Sequence, residues 1–307
     1  MSVSITSTYA GEFSGKYIAA ALLSADTLDK GGLTIMPNVK YKSVIKKAAT
    51  DDIVKDATCD FQTGQGTLTL TEAILQPEEF QVNMDICKKD LHSDWEAAQM
   101  GFSAFDNLPK NFSDFVLAHV AAKVANRTEQ NIWEGDTGTS GQFDGFIKKL
   151  KADATVSDIS ATTVTSANVV AELGKVIDAC PSAVYGKEDL YLYVSQGIFK
   201  SYVRALGGFA ATNSGVDARS HMWYQGGEIS FDGVKLFPSS GLGANTAVLA
   251  QKSNLYFGTG LVNDMNIVKV IDMSDIDGSQ NVRIVMRFTA GVQHVFGADI
   301  VLYEPGV

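Results

Sequence analysis

The chain has 307 residues, 45% of them hydrophobic and 20% charged, a globular composition with material for one large domain or two moderate ones. Its formal net charge is −10, which argues against a free nucleic-acid binder: Lys46-Lys47, Lys88-Lys89 and Lys148-Lys149-Leu150-Lys151 are short scattered clusters, not a basic stripe. Cys59, Cys87 and Cys180 lack zinc or redox spacing, the N-terminus lacks the basic start of a signal peptide, and no apolar run approaches the roughly 20 residues that cross a bilayer, so a soluble protein made in a reducing compartment is expected.

Residues 1–40 are polar-mixed and turn-rich, with Gly31-Gly32 before Leu33-Thr34-Ile35 and Pro37 close behind. An arm of this kind has little core of its own and is expected to lie on another surface, such as a neighbouring subunit. Residues 41–90 read as β-structure. Leu68 and Leu70 alternate with Thr67, Thr69 and Thr71, and Val82, Met84 and Ile86 alternate with Asn83, Asp85 and Cys87, around a tip at Thr63-Gly64-Gln65-Gly66. Such a sparsely apolar hairpin buries little alone and is expected to project towards another chain.

A long helix is predicted over Phe112–Trp133, about 33 Å at 1.5 Å per residue. Asn111 and Asp114 offer a capping-box-like start, and Phe115, Val116, Val120, Val124 and Ile132 form the apolar side. Gly135 and the turn Asp136-Thr137-Gly138-Thr139 stop it. Beyond residue 152 the pattern becomes α/β. Ser166–Cys180 predicts a helix with Val169, Val170, Leu173, Val176 and Ile177 inward, ended by Pro181. Leu190–Val194 predicts a buried strand, Ser195 a cap for the next helix, and Gly207-Gly208 the start of a loop running to Gly215. From Gly227 the chain is mostly β: a turn at Asp232-Gly233, a strand over Val234–Phe237, a loop at Pro238-Ser239-Ser240-Gly241, and strands over Ala247–Leu249, Asn254–Phe257, Ile267–Ile271, Val282–Phe288 and Ile300–Tyr303.

Enzyme chemistry finds weak footing. Asp136-Thr137-Gly138-Thr139 matches an aspartic-protease string, but that reaction needs two close carboxylates sharing a proton, and the chain has no second copy of the motif. A turn held by Asp and Thr side chains is the simpler reading. His92, His119, His221 and His294 have no metal-pair spacing, Ser195 lacks a nucleophile-elbow context, and Gly258-Thr259-Gly260 lacks the lysine of a phosphate loop. Asp51/Asp52 and Asp275/Asp277 do not form a calcium loop. No catalytic, cofactor-binding or metal residue is assigned.

The order of parts, arm, extended hairpin, long helix, glycine-acid turn, α/β region and β-rich return, resembles the HK97-fold major capsid proteins of tailed bacteriophages. The strings that carry the resemblance are Asn131-Ile132-Trp133-Glu134-Gly135-Asp136 with Phe143-Asp144-Gly145-Phe146-Ile147 after the turn, Leu192–Leu206, Phe231-Asp232-Gly233-Val234, and Arg283–Tyr303. The resemblance covers most of residues 30–304 and implies an α+β fold. Residues 1–40 would be the N-terminal arm, 41–90 the E-loop hairpin with flanking P-domain strands, 91–152 the P-domain with its spine helix, 153–228 the axial A-domain, and 229–307 the return strands of both domains. It implies a structural, non-enzymatic protein that self-assembles as hexamers and pentamers into an icosahedral shell around double-stranded DNA, without sequence-specific binding, membrane or cofactor. Scaffolding, portal and decoration proteins would be its partners. The chain would be synthesised in the bacterial cytoplasm and reside in the virion. The loop 207–215 would meet its copies around the capsomer axis, and Lys55, in the hairpin, has no evident asparagine for a covalent cross-link. Alternatives are an encapsulin-like nanocompartment shell, a phage tail-tube or decoration protein, and, most remotely, an aspartic protease using Asp136.

Overall fold

The computed structural model describes residues 26–50, 54, 56–57, 59, 66–87, 110–207, 229–260, 269–274 and 276–305. Residues 1–25, the hairpin tip at 60–65, the loop from 208 to 215, and His92, His221, Lys55, Asp51, Asp52 and Asp275 therefore lie outside the described residues.

The described chain begins with a single helical turn, α1 (Asp26–Asp29), and strand β1 (Thr34–Met36). β1 runs parallel to β10 (Leu255–Gly258), with Thr34 opposite Tyr256. The segment expected to lie on another surface is thus packed, from residue 26 to 36, on its own chain: Leu33 is buried and the Thr27 side chain is fully enclosed.

Strands β2 (Ser43–Thr50) and β3 (Leu68–Leu75) form a separate antiparallel pair, in register from Ser43 opposite Leu75 to Thr50 opposite Leu68. β4 (Glu78–Cys87) then joins a five-stranded sheet with β1, β10, β11 (Lys269–Asp272) and β12 (Asn281–His294). β12 pairs with β4 over Asn281–Ala290 and with β10 over its last four residues. The expected alternation holds along β12: Val282, Ile284 and Met286 are buried while Arg283 and Arg287 are exposed.

Helix α2 (Lys110–Glu134) has 25 residues and spans about 37 Å. It contains no proline or glycine and four alanines, the residues that respectively break and favour a helix. Asn111 lies within the helix and not ahead of it. After Gly135 the chain turns into α3 (Phe146–Ala152) and β5 (Ser157–Ser160).

A six-stranded sheet follows, in the order β5-β13-β9-β6-β8-β7, from β6 (Leu190–Ser195), β7 (Ser230–Phe231), β8 (Val234–Ser239), β9 (Ala247–Gln251) and β13 (Val301–Glu304). Its two faces bury different side chains at period two. Tyr193, Phe237, Val248, Ala250 and Leu302 face a core with Trp133, Phe146 and Phe257. Leu192, Val194, Leu236, Leu249 and Tyr303 face a second core under α4 (Val169–Asp178) and α5 (Gln196–Gly207).

Local departures from the expectations have local causes. α4 begins at Val169, three residues late, after a turn in which the Asn168 carboxamide oxygen accepts from the Thr165 backbone N–H at 2.7 Å. Val170 is 52% exposed because the buried stripe is Val169, Leu173 and Val176, one helical face that excludes its neighbour. Pro238 and Ser239 extend β8 instead of forming a loop; Pro238 pairs opposite Val194 of β6, beyond the reach of the two-residue β7 on the other side, where a missing N–H costs no ladder bond. The turn at Asp232-Gly233 forms as expected, with φ of 46° and 80°, the left-handed pair a two-residue hairpin demands. Ser195 receives the Ile198 backbone N–H at 3.4 Å at the start of α5.

Candidate functional site

Three places combine functional-type side chains: the turn after α2, a buried cluster beneath it, and the joint between α3 and β12. A fourth, the β2–β3 hairpin, carries surface in place of chemistry.

In the turn, Asp136 and Asp144 come together, a pairing that belongs to no sequence motif. Lys148 lies between them, donating to Asp136 Oδ1 at 2.7 Å and to Asp144 Oδ1 at 2.5 Å. Asp136 Oδ1 also accepts from the Gly138 N–H at 2.9 Å, and Asp144 Oδ1 from the Thr137 N–H and hydroxyl, each at 3.0 Å. The hydrogen bond from Lys148 lowers the Asp136 pKa below the ordinary carboxylate range. At Asp144 partial burial pulls upward, but the bonds from Lys148 and Thr137 prevail and the net shift is also downward. A protease dyad shares one proton between two carboxylates; here both are ionised and share an ammonium group. The Asp144–Lys148 pair is spaced i,i+4 across the start of α3, with Asp144 just ahead of the helix and Lys148 in its first turn, a spacing legible in the sequence.

The backbone closes the same turn. Gly145 N–H donates to Gly135 O at 2.9 Å, and Asn131 Nδ2 to Gly141 O at 3.1 Å. A Cβ at Gly145 would stand 2.6 Å from Trp133 O, and one at Gly135 would strike Phe143 O, so both glycines are required by close approach.

Beneath the turn, Glu129 is wholly buried on α2. Its Oε1 accepts from the Thr27 hydroxyl at 2.5 Å and from Ser239 Oγ at 2.8 Å, and its Oε2 from the Thr27 backbone N–H at 3.1 Å. Trp133, one turn further along α2, donates its indole N–H to Thr27 Oγ1 at 2.9 Å. Each bond satisfies a polar group that would be costly to bury without a partner. The bonds tie α1, α2 and the end of β8 together, three elements separated by 102 and 110 residues in sequence. A carboxylate used this way is a clasp between segments. Trp133 completes it by packing on Phe146 and Tyr193, with ring centroids 5.5 and 5.1 Å away.

At the third place, His294 of β12 pairs through Nε2 with Asp153 Oδ2 at 2.9 Å, while its Nδ1 is buried without a hydrogen-bond partner. Burial lowers the imidazole pKa, and Lys47 and Lys149 lower it further, against the opposing pull of Asp153. The ring is therefore neutral at pH 7 and carries its proton on Nε2, leaving only a lone pair unsatisfied at Nδ1. For Asp153, burial acts upward first, but the bonds from His294 and Thr155 bring it down to about 2. Lys149 donates to Val292 O and Gln293 Oε1, so α3 is tied to β12 by both groups. Among the described residues no group of three or more His, Cys, Asp or Glu side chains is placed to hold a metal ion. His119 lies partly buried on α2, Asp277 caps its own turn through Ser279 N–H at 2.9 Å, and Gly258 is the last residue of β10 against Leu75.

The hairpin is the contrast. Val44, Ala48, Leu68, Leu70 and Ile74 share one face by the register, interrupted by the facing Lys46 and Glu72. Leu68 and Leu70 are 59% and 67% exposed, Val44 49% and Ile74 45%. Leu75 and Ala73, on the other face at the base, are buried. The hairpin is thus anchored at its root and carries an uncovered apolar stripe along its length.

The sequence matches no family model and no curated protein. Solved structures do match along nearly the whole chain. A chain from Gordonia phage Cozz aligns with a TM-score of 0.63 at 12% identity, covering 98% of this chain and 92% of that one. The capsid of Myoviridae phage XM1 aligns at 0.63 and 10% identity, covering 95% and 96%. The capsid of a native GTA particle aligns at 0.61 and 14% identity, covering 98% and 96%. At these identities the likeness is one of fold: the chain has an α+β fold of HK97-like capsid architecture, as the resemblance in sequence order implied.

Proposed function

We propose that this chain is a major capsid protein, a structural subunit whose copies form hexamers and pentamers that close into an icosahedral shell around double-stranded DNA. The observation that carries the reading is the β2–β3 hairpin, which leaves an apolar stripe in water on a single chain. Lying over a neighbouring copy would cover it, and complete burial of one such aliphatic side chain contributes about 1.5–3 kcal/mol. Repeated around a ring, modest interfaces of this kind close a shell. The capsid chains whose fold this one shares support the same reading.

On this reading the hairpin is the E-loop and α2 is the spine helix. The five-stranded sheet belongs to the P-domain, and the six-stranded sheet with α4 and α5 forms the A-domain. Residues 1–40 would supply the arm, with its root held by Glu129. The domain limits 41–90, 91–152, 153–228 and 229–307 follow the same assignment. Portal, scaffolding and decoration proteins would be the partners, the bacterial cytoplasm the place of synthesis and the virion the destination.

Sedimentation velocity and negative-stain microscopy of the purified full chain test this. Closed polyhedral particles or hexameric sheets are expected. A persistent monomer at high concentration contradicts the proposal. Nuclease-protected DNA inside particles recovered from an infected host separates a genome shell from an encapsulin-like compartment, which would hold protein cargo instead.

A further inference from the structure

The molecule is acidic, yet one cleft is lined by cations alone among the described charged residues. It has a volume of about 400 Å³ and lies between α5 and the end of α1, with Lys30, Gln196, Lys200 and Arg204 around a floor that includes Phe199 and Pro238. In two other clefts acidic side chains stand among the cations: one of about 760 Å³ sets Lys40 and Arg287 beside Glu79, and one of about 510 Å³ sets Lys187 and Lys235 beside Glu188 and Asp232. Lys200 and Arg204 are exposed and form no ion pair among the described residues. They stand i,i+4 on one face of α5, about 6 Å apart along its axis. Ile198 and Tyr202, buried on the opposite side, fix which way that face points.

The clasp builds the other wall. Ser239 is held by Glu129, which fixes the adjoining Pro238, and Thr27 is held by the same carboxylate, which places Lys30 three residues on. The cleft is therefore assembled on a tightly bonded, buried joint of the fold.

We infer that this cleft binds the phosphate groups of a nucleic acid strand, as a point of attachment between the shell subunit and the nucleic acid it encloses. The inference rests on the proposed function for the identity of that nucleic acid, but not for the binding itself. A strand supplies a phosphate at every nucleotide, which suits cations repeated along a helix, and the arginine fork matches phosphate geometry. A peptide would need an unusually dense run of carboxylates to do the same.

The test is fluorescence anisotropy of a labelled duplex and a labelled single strand, each about 20 nucleotides long, with the full chain over a salt series from about 50 to 200 mM. The variant is Lys200→Gln with Arg204→Gln. The control, Lys187→Gln with Lys235→Gln, makes the same charge change in a balanced cleft. The cleft variant is expected to bind about tenfold more weakly at low salt, with the salt slope reduced by about two, one for each phosphate no longer neutralised. The control is expected to stay within about twofold of the parent chain. Circular dichroism establishes that both variants are folded, and the single substitutions replace the double one if it is not. Equal weakening in both variants overturns the inference, as does no binding by the parent chain at low salt. Competition by a poly-glutamate peptide as effective as unlabelled DNA also overturns it, pointing to an acidic protein segment. Microscopy of the same samples keeps the two claims apart: shells that bind no nucleic acid sink only this inference, and binding without shells sinks only the proposed function.

Discussion

The end of α2 and the β2–β3 hairpin are both built by long-range pairing, and they finish in opposite states. At the end of α2, Glu129 and Trp133 are fully buried, and Thr27 and Ser239 satisfy them from distant parts of the chain. In the hairpin the backbone ladder is complete over eight residue pairs, yet Leu68 and Leu70 remain more than half exposed. Backbone pairing fixes register and direction; it does not cover side chains. The first region is complete within one chain, whereas the second has the form of half an interface.

Substitutions can break this contrast from either end. The largest loss is expected from Trp133→Ala, which empties the space against Phe146 and Tyr193 and removes the donor to Thr27. It should destabilise the unassembled chain by about 3–5 kcal/mol in denaturant unfolding. Thr27→Val keeps the shape but removes the hydroxyl that meets Glu129 and Trp133; a loss of about 1.5–3 kcal/mol is expected by the same measurement. A loss near zero for either would mean that the clasp does not hold α1 to α2.

A smaller effect is expected with pH. The folded His294 resists protonation because it is buried and faces Lys47 and Lys149, which together outweigh the opposing pull of Asp153, while the unfolded chain takes up that proton near pH 6.5. Its contribution is fully present above pH 6.5 and declines as the pH falls below it. His294→Gln should flatten the stability profile between about pH 7 and 5. Asp153 acts in a separate window: its contribution is present above the ordinary carboxylate pKa and is lost as pH falls through about 2. The smallest change in stability belongs to Leu68→Ser with Leu70→Ser, within about 0.5 kcal/mol for the unassembled chain. The same pair should abolish particle formation in sedimentation, which is the sharpest separation of the two regions.

What the sequence disclosed follows from how far each signal reaches. The long helix, the buried strand at Leu190–Ser195 and the Asp232-Gly233 turn rest on neighbouring residues, and periodicity or turn chemistry exposes them. The alternation of Leu68 and Leu70 with threonines likewise marks an exposed hairpin strand without knowledge of its partner. The clasp was illegible because a glutamate in mid-helix looks like a solvated charge until Thr27, 102 residues away, reaches it. The pairing of Asp136 with Asp144, eight residues on, follows no protease motif, and only the folded turn sets Lys148 between them. Residues 26–36 have few apolar side chains and show no core of their own in the sequence; β1 finds one by pairing with β10 across more than 200 residues.

The proposed function requires that another copy complete the hairpin's apolar face in a closed shell. A reconstruction of the assembled particles by electron cryo-microscopy, at a resolution that traces side chains, tests it most directly. The account predicts closed particles in which Leu68 and Leu70 of one subunit are buried against a neighbour. Closed particles that leave both side chains in solvent, or a protein that never assembles, would contradict it.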